Sequence, residues 1–412
     1  MRVKLDQVYP EGTEITIRKG DVFDYCLIDL IEAEELGAPI PMPENALSIE
    51  DFGAKANDGE DDSTALADCI EEAVKQGKEV YIPAGEFEIK DHPFVKGLPL
   101  REENTTIRGA GMWHTVLKGE AAGFAIQAGH ISFYDFSLIG NVKQRKDTLD
   151  PPAFNLLPTG AAGVKDIQLQ NIWIEHYKVG LWADVVDGIS IMGCRIRNTY
   201  ADGINLCAGT SHCVVTQNDL RNTGDDGIAM FNRGVLCVDN KIIYNTVKLP
   251  WLANNIALYG GKDIEVSHNL LADTICFGSG INISTNFKPQ VFEGTILVEE
   301  NRLVRCGSRE YNIGADYGAV WINMVEGYDN KAQCIVRKNI VEDSTYQGIS
   351  FFNSGVVENM QIIDNTIAGC GTYGVGIGAE ARGSAVIRDN IVTEAGIDEL
   401  QYLADGEFTG LE

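Results

Sequence analysis

A short unit, an asparagine followed two residues later by an apolar residue, recurs through most of this chain and constrains its fold more than any other feature. Its members are Asn171, Cys194 (which replaces the asparagine), Asn218, Asn240, Asn269, Asn301, Asn339, Asn365 and Asn390. Successive members lie 22 to 38 residues apart, and the segments between them alternate apolar and polar residues as strands do. Several short strands in a repeat of this length are typical of a parallel β-helix, so we predict an all-β solenoid.

The repeated asparagine has a structural explanation. A side-chain amide both donates and accepts, so it can bond to its equivalents one coil above and below at the ~4.8 Å spacing of paired strands. Asparagine also tolerates the left-handed backbone of a tight corner. We therefore predict a structural ladder, and none of these asparagines is a catalytic candidate.

The segment ahead of the coils predicts a cap. A helix is expected from Asp62 or Ser63 to Gln76, ended by Gly77, and an amphipathic helix can cover the open end of a solenoid. Its predicted buried stripe consists of Leu66, Ile70, Ala73 and Val74. The predicted organisation is an N-terminal β appendage (1–45), a cap with the helix and first coils (46–125), the β-helix (126–395) and a C-terminal tail (396–412).

The composition excludes several classes of partner. With 60 acidic and 33 basic residues the net charge is −27, which disfavours nucleic acid, anionic lipid and polyuronates. No apolar run approaches the ~18 to 20 residues of a membrane span. The first residues do not resemble a signal peptide, so the sequence as written predicts a cytoplasmic protein, or a secreted one if a leader was trimmed.

The cysteines and histidines show no metal-ligand spacing. The ten cysteines are scattered singly and several occupy apolar repeat positions, which favours buried small side chains over disulfides. The six histidines give no zinc site. We expect no required cofactor; structural calcium near the insertions around Asp316 and Asp329 stays open.

Two carboxylates stack in a column that is otherwise uncharged. Aligned on the Gly-Ile pair or its equivalent, the preceding residues are Val179, Asp202, Asp226, Asn254, Ser279, Tyr317, Gln347 and Tyr373, and Asp225 adds a third carboxylate. Aspartates that only form turns would be scattered through the column. A calcium site is a second alternative, and acid–base chemistry is the interpretation we favour.

Crowded carboxylates suit general acid–base catalysis. Like charges raise the pKa of at least one member, which then carries a proton near neutral pH while the others polarise water. An acid and a base that flank a glycosidic bond with room for water lie ~6.5 to 9.5 Å apart in inverting glycosidases.

The sequence around these aspartates resembles glycoside hydrolase family 87, the bacterial α-1,3-glucanases and mycodextranases. Ala201-Asp202-Gly203-Ile204 and Gly224-Asp225-Asp226-Gly227 carry the resemblance. Further similar segments are 108–113, 173–180 and 249–261. The resemblance implies a right-handed β-helix and inverting hydrolysis by Asp202, Asp225 and Asp226. By analogy with related enzymes, Asp225 is the expected general acid and the other two activate water.

The resemblance leaves one geometric condition to be met. A regular strand sends Asp225 and Asp226 to opposite faces, so both reach one cleft only if Gly224 permits a bend. Candidate substrate-binding residues, chosen as aromatic or polar groups in the similar segments, are Trp113, Glu175, His176, Lys178, Tyr200, Asn205, Trp251 and Asn254. Asn254 is the preferred neutral contact.

The expected function is hydrolysis of α-glucosidic bonds, with α-1,3 as the favoured linkage, in a neutral polysaccharide or oligosaccharide. Alternatives are a dextranase-like or polygalacturonase-like hydrolase, an epimerase or lyase, and a non-catalytic tailspike-like adhesin. The Gly-His-Gly and Arg-Ile-Lys segments of polygalacturonases are absent from the sequence, and the net charge opposes uronates. Nucleic acid and membrane are not expected partners, and the oligomeric state stays open.

Overall fold

The protein is a right-handed parallel β-helix, as predicted, and it is described here by a computed structural model. The described residues are 3, 5, 7–18, 20, 28, 31–90, 97–119, 121–147, 151–157, 163–288, 291–330, 332–352, 354–404 and 408–411. Within these, the chain makes about twelve coils, with one α-helix, Ser63–Gln76, and one 3₁₀ helix, Ile49–Phe52.

Each complete coil contributes strands to three faces. The first and second faces join in a 24-stranded sheet, and the third face is a 12-stranded sheet. The first face contains Ala46–Ser48, Glu79–Ile82, Thr106–Gly109, Val186–Met192, Val214–Thr216, Val238–Ile243, Gly261–Ser267, Phe292–Glu299, Gln333–Arg337, Val356–Ile363, Arg382–Arg388 and Phe408–Leu411. The second face contains Gly85–Glu88, Thr115–Lys118, Arg195–Arg197, Asp219–Arg221, Thr246–Lys248, Leu270–Ala272, Arg302–Val304, Ile340–Glu342, Thr366–Ala368 and Ile391–Thr393. Two long strands, Ile131–Ile139 and Val164–Glu175, run across both faces.

The third face positions the residues discussed below. It contains Leu98–Leu100, Phe124–Ile126, Phe154–Leu156, Leu181–Asp184, Ile204–Cys207, Ile228–Phe231, Ile256–Tyr259, Ile281–Ser284, Val320–Asn323, Ile349–Phe351, Tyr373–Ile377 and Asp398–Tyr402. We call the turn that precedes each third-face strand the leading corner. The leading corner before Val320–Asn323 carries a small antiparallel pair, Arg309–Glu310 with Ala315–Asp316.

Alternation along the strands produces one continuous core. In the third face, Ile204 and Leu206 point into the solenoid with Ile228 and Met230 of the next coil, and all four side chains are fully buried. Residues between them, such as Asn205, point to the outer side because successive strand side chains alternate. The outer side of this face is therefore where polar residues can meet a ligand.

The asparagine ladder is present, with a corrected membership. In each step an amide Nδ2 donates to the Oδ1 of the next coil at 2.9 to 3.0 Å. The members are Asn218, Asn245, Asn269, Asn301, Asn339, Asn365 and Asn390. Cys194 precedes them and donates its backbone N–H to Asn218 Oδ1 at 2.9 Å.

Two predicted ladder positions were wrong because insertions shift the register. Asn245, not Asn240, follows Asn218; Asn240 instead accepts from the Cys213 backbone N–H at 2.9 Å. Asn171 lies one residue ahead of the position level with Cys194 and donates to Asp135 Oδ1. The column that contains Asp226 was also predicted with one wrong member. Val320 pairs with Ile281, so Gly318 and not Tyr317 occupies this column.

The helix closes the N-terminal end of the solenoid. Leu66, Ile70 and Ala73 are buried as predicted, whereas Val74 is only partly buried. The helix ends at Gly77, whose φ of 63° is left-handed. Asp62 makes no cap to the helix itself; its carboxylate instead accepts the backbone N–H groups of Lys55 and Glu88, at 2.9 and 3.2 Å.

The sequence predicts the N-terminal and C-terminal segments less specifically than the cap and the coils. Much of 1–30 lies outside the described residues, and 31–45 form irregular chain and a turn, so the β appendage stays a prediction. In the segment predicted as a C-terminal tail, Asp398–Tyr402 and Phe408–Leu411 pair with strands of the preceding coil and continue the solenoid.

Two further expectations concern cysteines and membrane spans. Each described cysteine is a free thiol, and eight of these nine are buried; Cys26 lies outside the described residues. Of the helices in the described part of the chain, none combines the length and apolarity that crossing a membrane requires.

Candidate active site

Three aspartates converge in two successive leading corners. Ile204 pairs with Ile228 across the third face, which places Asp202 level with Asp226 one coil later. Asp202, Asp225 and Asp226 each offer a carboxylate oxygen within 4.8 Å of the others. Asp202 and Asp226 are 8% and 4% exposed, and Asp225 is half-buried. The outer member of the trio is therefore Asp225.

The turn at Gly224 meets the geometric condition set by the sequence. Both Asp225 and Asp226 precede the third-face strand, which begins at Ile228, so strand alternation does not separate their side chains. The Gly224 and Asp225 backbone N–H groups both donate to the Ala201 carbonyl, at 3.0 and 3.2 Å. A Cβ on Gly224 would lie 2.4 Å from the Tyr200 carbonyl carbon, so this tight turn requires glycine.

Burial and mutual repulsion raise the pKa values of the two inner carboxyls, so they stay protonated at higher pH than an ordinary aspartate. Burial, reinforced by the charges of Asp225 and Asp226, raises the pKa of Asp202 well above its ordinary value. Burial and the charge of Asp225 raise the pKa of Asp226 to about 7. The trio can thus hold a proton near neutral pH, which acid–base chemistry requires.

Neighbouring side chains hold the inner carboxylates in place. Asn254 donates to Asp226 Oδ1 through its backbone N–H and its Nδ2, both at 2.8 Å, and the Tyr259 hydroxyl donates to Oδ2 at 3.2 Å. Asn205 Nδ2 donates to Asp202 Oδ2 at 2.6 Å. Asp226 is therefore held by residues of the next coil, and Asp202 is held by the third-face strand that follows it.

Asn254 consequently differs from its predicted role. Its side chain is 2% exposed, and its Oδ1 accepts the backbone N–H and the hydroxyl of Ser279. Its Nδ2 also lies 3.5 Å from the Tyr259 hydroxyl, so its polar atoms are directed at protein groups and Asn254 positions Asp226. Asn205 is also buried and engaged, since its Oδ1 contacts the Cys207 thiol at 2.8 Å.

A cation that the sequence analysis missed reaches the trio from a distant insertion. Arg145 Nη1 donates to Asp225 Oδ2 at 2.6 Å, and its Nε donates to Asp147 at 2.8 Å. Lys178, a predicted site residue, donates to the Asp147 carbonyl at 2.9 Å and so anchors this segment. No motif pointed to Arg145, because 80 residues separate it from its partner.

Two other predicted site residues, Tyr200 and Trp251, lie near the trio. Tyr200 packs its backbone against Gly224 beside the trio. Trp251 lies in the next leading corner with its side chain 60% exposed, and its backbone N–H donates to the Thr223 carbonyl at 2.8 Å. Both residues lie in leading corners beside the trio, and their role in substrate binding stays a prediction.

Glu175 and His176 lie at the edge of this corner. Glu175, at the end of a second-face strand, accepts from Asn198 Nδ2 at 2.9 Å and lies 3.4 Å from His176 Nε2. Asn222 Nδ2 in turn donates to Asn198 Oδ1 at 3.2 Å. This chain of hydrogen bonds supports the turns that carry the aspartates.

Trp113 lies outside this site. It occupies the turn between the first and second faces, where its ring packs edge-on against Trp173 at 5.1 Å and its Nε1 donates to Glu34. The sequence segment resembled the family, but the fold places this indole at the other end of the second-face strands. It is therefore not part of the corner that holds the trio.

The acidic residues considered for calcium are engaged by protein groups. Asp316 pairs with Arg309 at 2.5 Å, and Asp329 accepts the Val356 backbone N–H at 2.9 Å. Within the described residues, Asp202, Asp225 and Asp226 are the one group of three candidate ligands this close together. The question of structural calcium stays open.

Comparison with known families gives a specific match. The profile of the α-1,3-glucanase catalytic domain D2 matches residues 60–389, which is most of the chain. No curated protein sequence matches at a significant level.

Solved structures with the same fold include several α-1,3-glucanases. The catalytic unit of a thermostable GH87 α-1,3-glucanase from Streptomyces thermodiastaticus strain HF3-3 is 32% identical, with a TM-score of 0.83 over 92% of this chain and 70% of that one. The Agl-KA catalytic domain is 26% identical, with a TM-score of 0.78 over 91% and 70%. An Azotobacter vinelandii mannuronan C-5 epimerase A-module, 15% identical with a TM-score of 0.51 over 89% and 100%, shares the fold only.

Proposed function

Because this chain belongs to the α-1,3-glucanase family of glycoside hydrolases, GH87, we propose that it hydrolyses α-1,3-glucosidic bonds in a neutral glucan or oligosaccharide, with Asp202, Asp225 and Asp226 as the catalytic residues. The observation that carries the proposal is the convergence of these carboxylates within 4.8 Å across two successive leading corners. A structural turn former would need neither stacking nor two buried carboxyls.

Related solved structures support the choice of residues. A GH87 α-1,3-glucanase catalytic domain that is 24% identical was solved with nigerose, and three alanine variants of aspartates in it were solved with nigerose or tetrasaccharides. The three replaced aspartates are separated by 23 and 1 positions in that protein's numbering. Asp202, Asp225 and Asp226 are separated by the same intervals.

The division of labour follows from exposure. Asp225 is the outer carboxyl, so it is placed to protonate the leaving glycosidic oxygen, while the buried Asp202 and Asp226 hold and activate water. Arg145 occupies Asp225 Oδ2, so this ion pair has to open before Asp225 donates a proton. Asp225 then receives its proton from the inner pair, whose raised pKa values keep a proton bound near pH 7. Having given up this proton, the inner pair can accept one from the attacking water.

Inversion is the expected stereochemistry, on the strength of the family resemblance. The carboxylate oxygens lie closer together than the ~6.5 to 9.5 Å that is usual for inverting enzymes, so distance alone does not support it. NMR of the first product formed from an α-linked oligosaccharide decides the matter. We expect the β-anomer at early times; an initial α-anomer would reject inversion and leave the trio in place.

A substrate screen tests the function itself. Reducing-sugar release is measured on α-1,3-glucan, nigeran, dextran, pullulan and polygalacturonate, with Asp225→Asn as the inactive variant. We expect release from α-1,3-linked substrates that the variant does not give. Release confined to polygalacturonate would overturn the substrate class. Polygalacturonate is included because an enzyme that acts on uronates also uses a cation near its carboxylates, and Arg145 is such a cation here.

A metal chelator separates acid–base catalysis from a calcium site. If the carboxylates acted by holding calcium, EDTA would abolish release. We expect activity in EDTA to equal that of the untreated protein.

A further inference from the structure

The leading corners that follow the trio carry aromatic and aliphatic side chains in three successive coils, all of them exposed except Phe277, which is partly buried. Their members are Trp251, Leu252, Ile275, Phe277, Tyr311 and Ile313. We call this set the aromatic ridge. Trp251, Tyr311 and Ile313 are 60%, 70% and 67% exposed, so the ridge is not core that happens to reach the surface.

The ridge is continuous with the trio. Thr223, whose hydroxyl donates to the Asp225 carbonyl at 3.0 Å, accepts the Trp251 backbone N–H at 2.8 Å. In the next coil the Cys276 thiol contacts the Trp251 carbonyl at 3.0 Å, and Phe277 then meets the Tyr311 ring at 6.3 Å. A ligand that leaves the carboxylates toward the C-terminal coils therefore passes directly onto this surface.

A second, independent observation concerns buried polar atoms on the same side of the trio. Among the residues that the structure describes, none bonds to the buried Asn282 Oδ1, Trp321 Nε1 or Gln347 Oε1. We call these three groups the polar row. Asn282 and Trp321 are paired neighbours on the outer side of the third face, and the Gln347 side chain lies against Gly376 on that side. Unpaired buried groups are costly and rare, so three in successive coils point to a ligand that supplies hydroxyl groups.

The opposite side of the trio is already occupied. Arg145 and Asp147 lie against Asp225 and Lys178 there, in a network of charged groups. That side offers ion pairs, whereas the C-terminal side offers aromatic faces and free amide and indole groups. Binding sites for neutral ligands combine mostly apolar walls with a few placed polar groups, which matches the C-terminal side.

Resting on the proposed function, we propose that the glucan chain extends from the scissile bond along the aromatic ridge toward the C-terminal coils, with its hydroxyls meeting the polar row. Each coil advances ~4.8 Å, comparable with the length of one pyranose ring, so successive glucose units meet successive leading corners. Tyr317 stacks on Trp321 at 3.8 Å and covers part of the row, so its ring turns aside when a chain binds there. The site thus favours longer chains over short ones.

Chain-length dependence of hydrolysis tests this placement. KM is measured for the shortest α-1,3-linked oligosaccharide that the wild type cleaves and for chains lengthened one glucose at a time. Tyr311→Ala is expected to raise KM for the long chains about tenfold and leave the shortest substrate unaffected, because one aromatic anchor commonly carries much of an interface's affinity. Tyr244→Ala, which removes another half-exposed aromatic ring from a different corner, is the matched control and should change neither value.

Trp321→Phe tests the polar row without removing the ring. It deletes the unpaired Nε1 and keeps an aromatic ring, so the advantage of long chains should fall. Equal chain-length dependence in wild type, Tyr311→Ala and Trp321→Phe would overturn the placement along the ridge. Failure of the wild type to cleave any α-1,3-linked substrate would instead overturn the proposed function and, with it, this inference.

Discussion

Two columns of stacked polar side chains run through the same solenoid, and they obey opposite physical rules. In the asparagine ladder each amide donates to the next, and Asn301 is both donor and acceptor within 3.0 Å. In the carboxylate column Asp202 and Asp226 have only acceptors when ionised, and burial raises the pKa of both. Stacking amides stabilises the coil, whereas stacking carboxylates costs stability, so only the second column needs a function to explain it.

The largest expected effect is on activity and involves the carboxylates. Asp202→Asn, Asp225→Asn and Asp226→Asn should each lower kcat by about 1,000-fold, because each removes a group that transfers or orients a proton. Reducing-sugar release gives the rates, and circular dichroism checks the fold. The matched control is Asp68→Asn on the exposed side of the helix, which should retain full activity. Full activity in any of the three would remove that residue from the trio.

The next effect concerns stability and involves the ladder. Asn301→Ala removes the acceptor of the Asn269 backbone N–H and amide and the donor to Asn339. We expect a loss of about 3 kcal/mol in the free energy of unfolding, since each buried unpaired group costs about 1–3 kcal/mol. Urea unfolding measures it, and Asn312→Ala, at an exposed position, should change stability little. A neutral Asn301→Ala would mean that the ladder is incidental.

A smaller stability effect of opposite sign is expected in the carboxylate column. The pKa of Asp226 is raised in the folded protein, so its contribution to stability is present at low pH and is lost as the pH rises through about 7. Asp226→Asn removes this loss. The variant should be more stable than the wild type at pH 8, and this advantage should exceed that at pH 5 by about 2–3 kcal/mol, since about two of the raised pKa units are titrated between these pH values at ~1.4 kcal/mol each.

Urea unfolding at the two pH values tests this sign. Asp202→Asn should behave in the same direction, and Asp68→Asn should show no pH-dependent difference. If Asp226→Asn were destabilising at pH 8, the cost assigned to stacked carboxylates would be mistaken.

The smallest effect tests a neighbour of the column. Tyr259→Phe removes the hydroxyl that donates to Asp226 Oδ2, and this bond favours the ionised carboxylate. The pKa of Asp226 should therefore rise further, shifting the acidic limb of the kcat/KM profile upward by about half a pH unit. Tyr244→Phe removes a hydroxyl from a half-exposed tyrosine and should leave the profile in place. An unmoved limb in Tyr259→Phe would mean that Asp226 does not need to be ionised for catalysis.

Sequence reasoning reached the fold because a solenoid repeats its pattern. Asp202 and Asp226 share a local motif, and the interval between them equals one coil, so their stacking could be inferred without coordinates. The ladder was found for the same reason. The errors arose where insertions break the period, as at Asn240 in place of Asn245 and Tyr317 in place of Gly318.

Other features could not be read from spacing. Asn254 was correctly placed beside Asp226, but its burial and its bonds to Ser279 depend on the next coil, and these turn an expected substrate contact into a positioning residue. Trp113 lies in a similar sequence segment, yet the fold carries it to another corner, against Trp173.

The sequence by itself determined the solenoid, the existence of a ladder and the identity of the three clustered aspartates, because these depend on local period and on pairing between adjacent coils. Only the tertiary structure decided how the carboxylates are surrounded. Arg145 reaches Asp225 from an insertion, and Tyr259 reaches Asp226 from the outer side of the next third-face strand. Such contacts depend on the path of irregular loops and on exact register, which a repeat pattern does not encode.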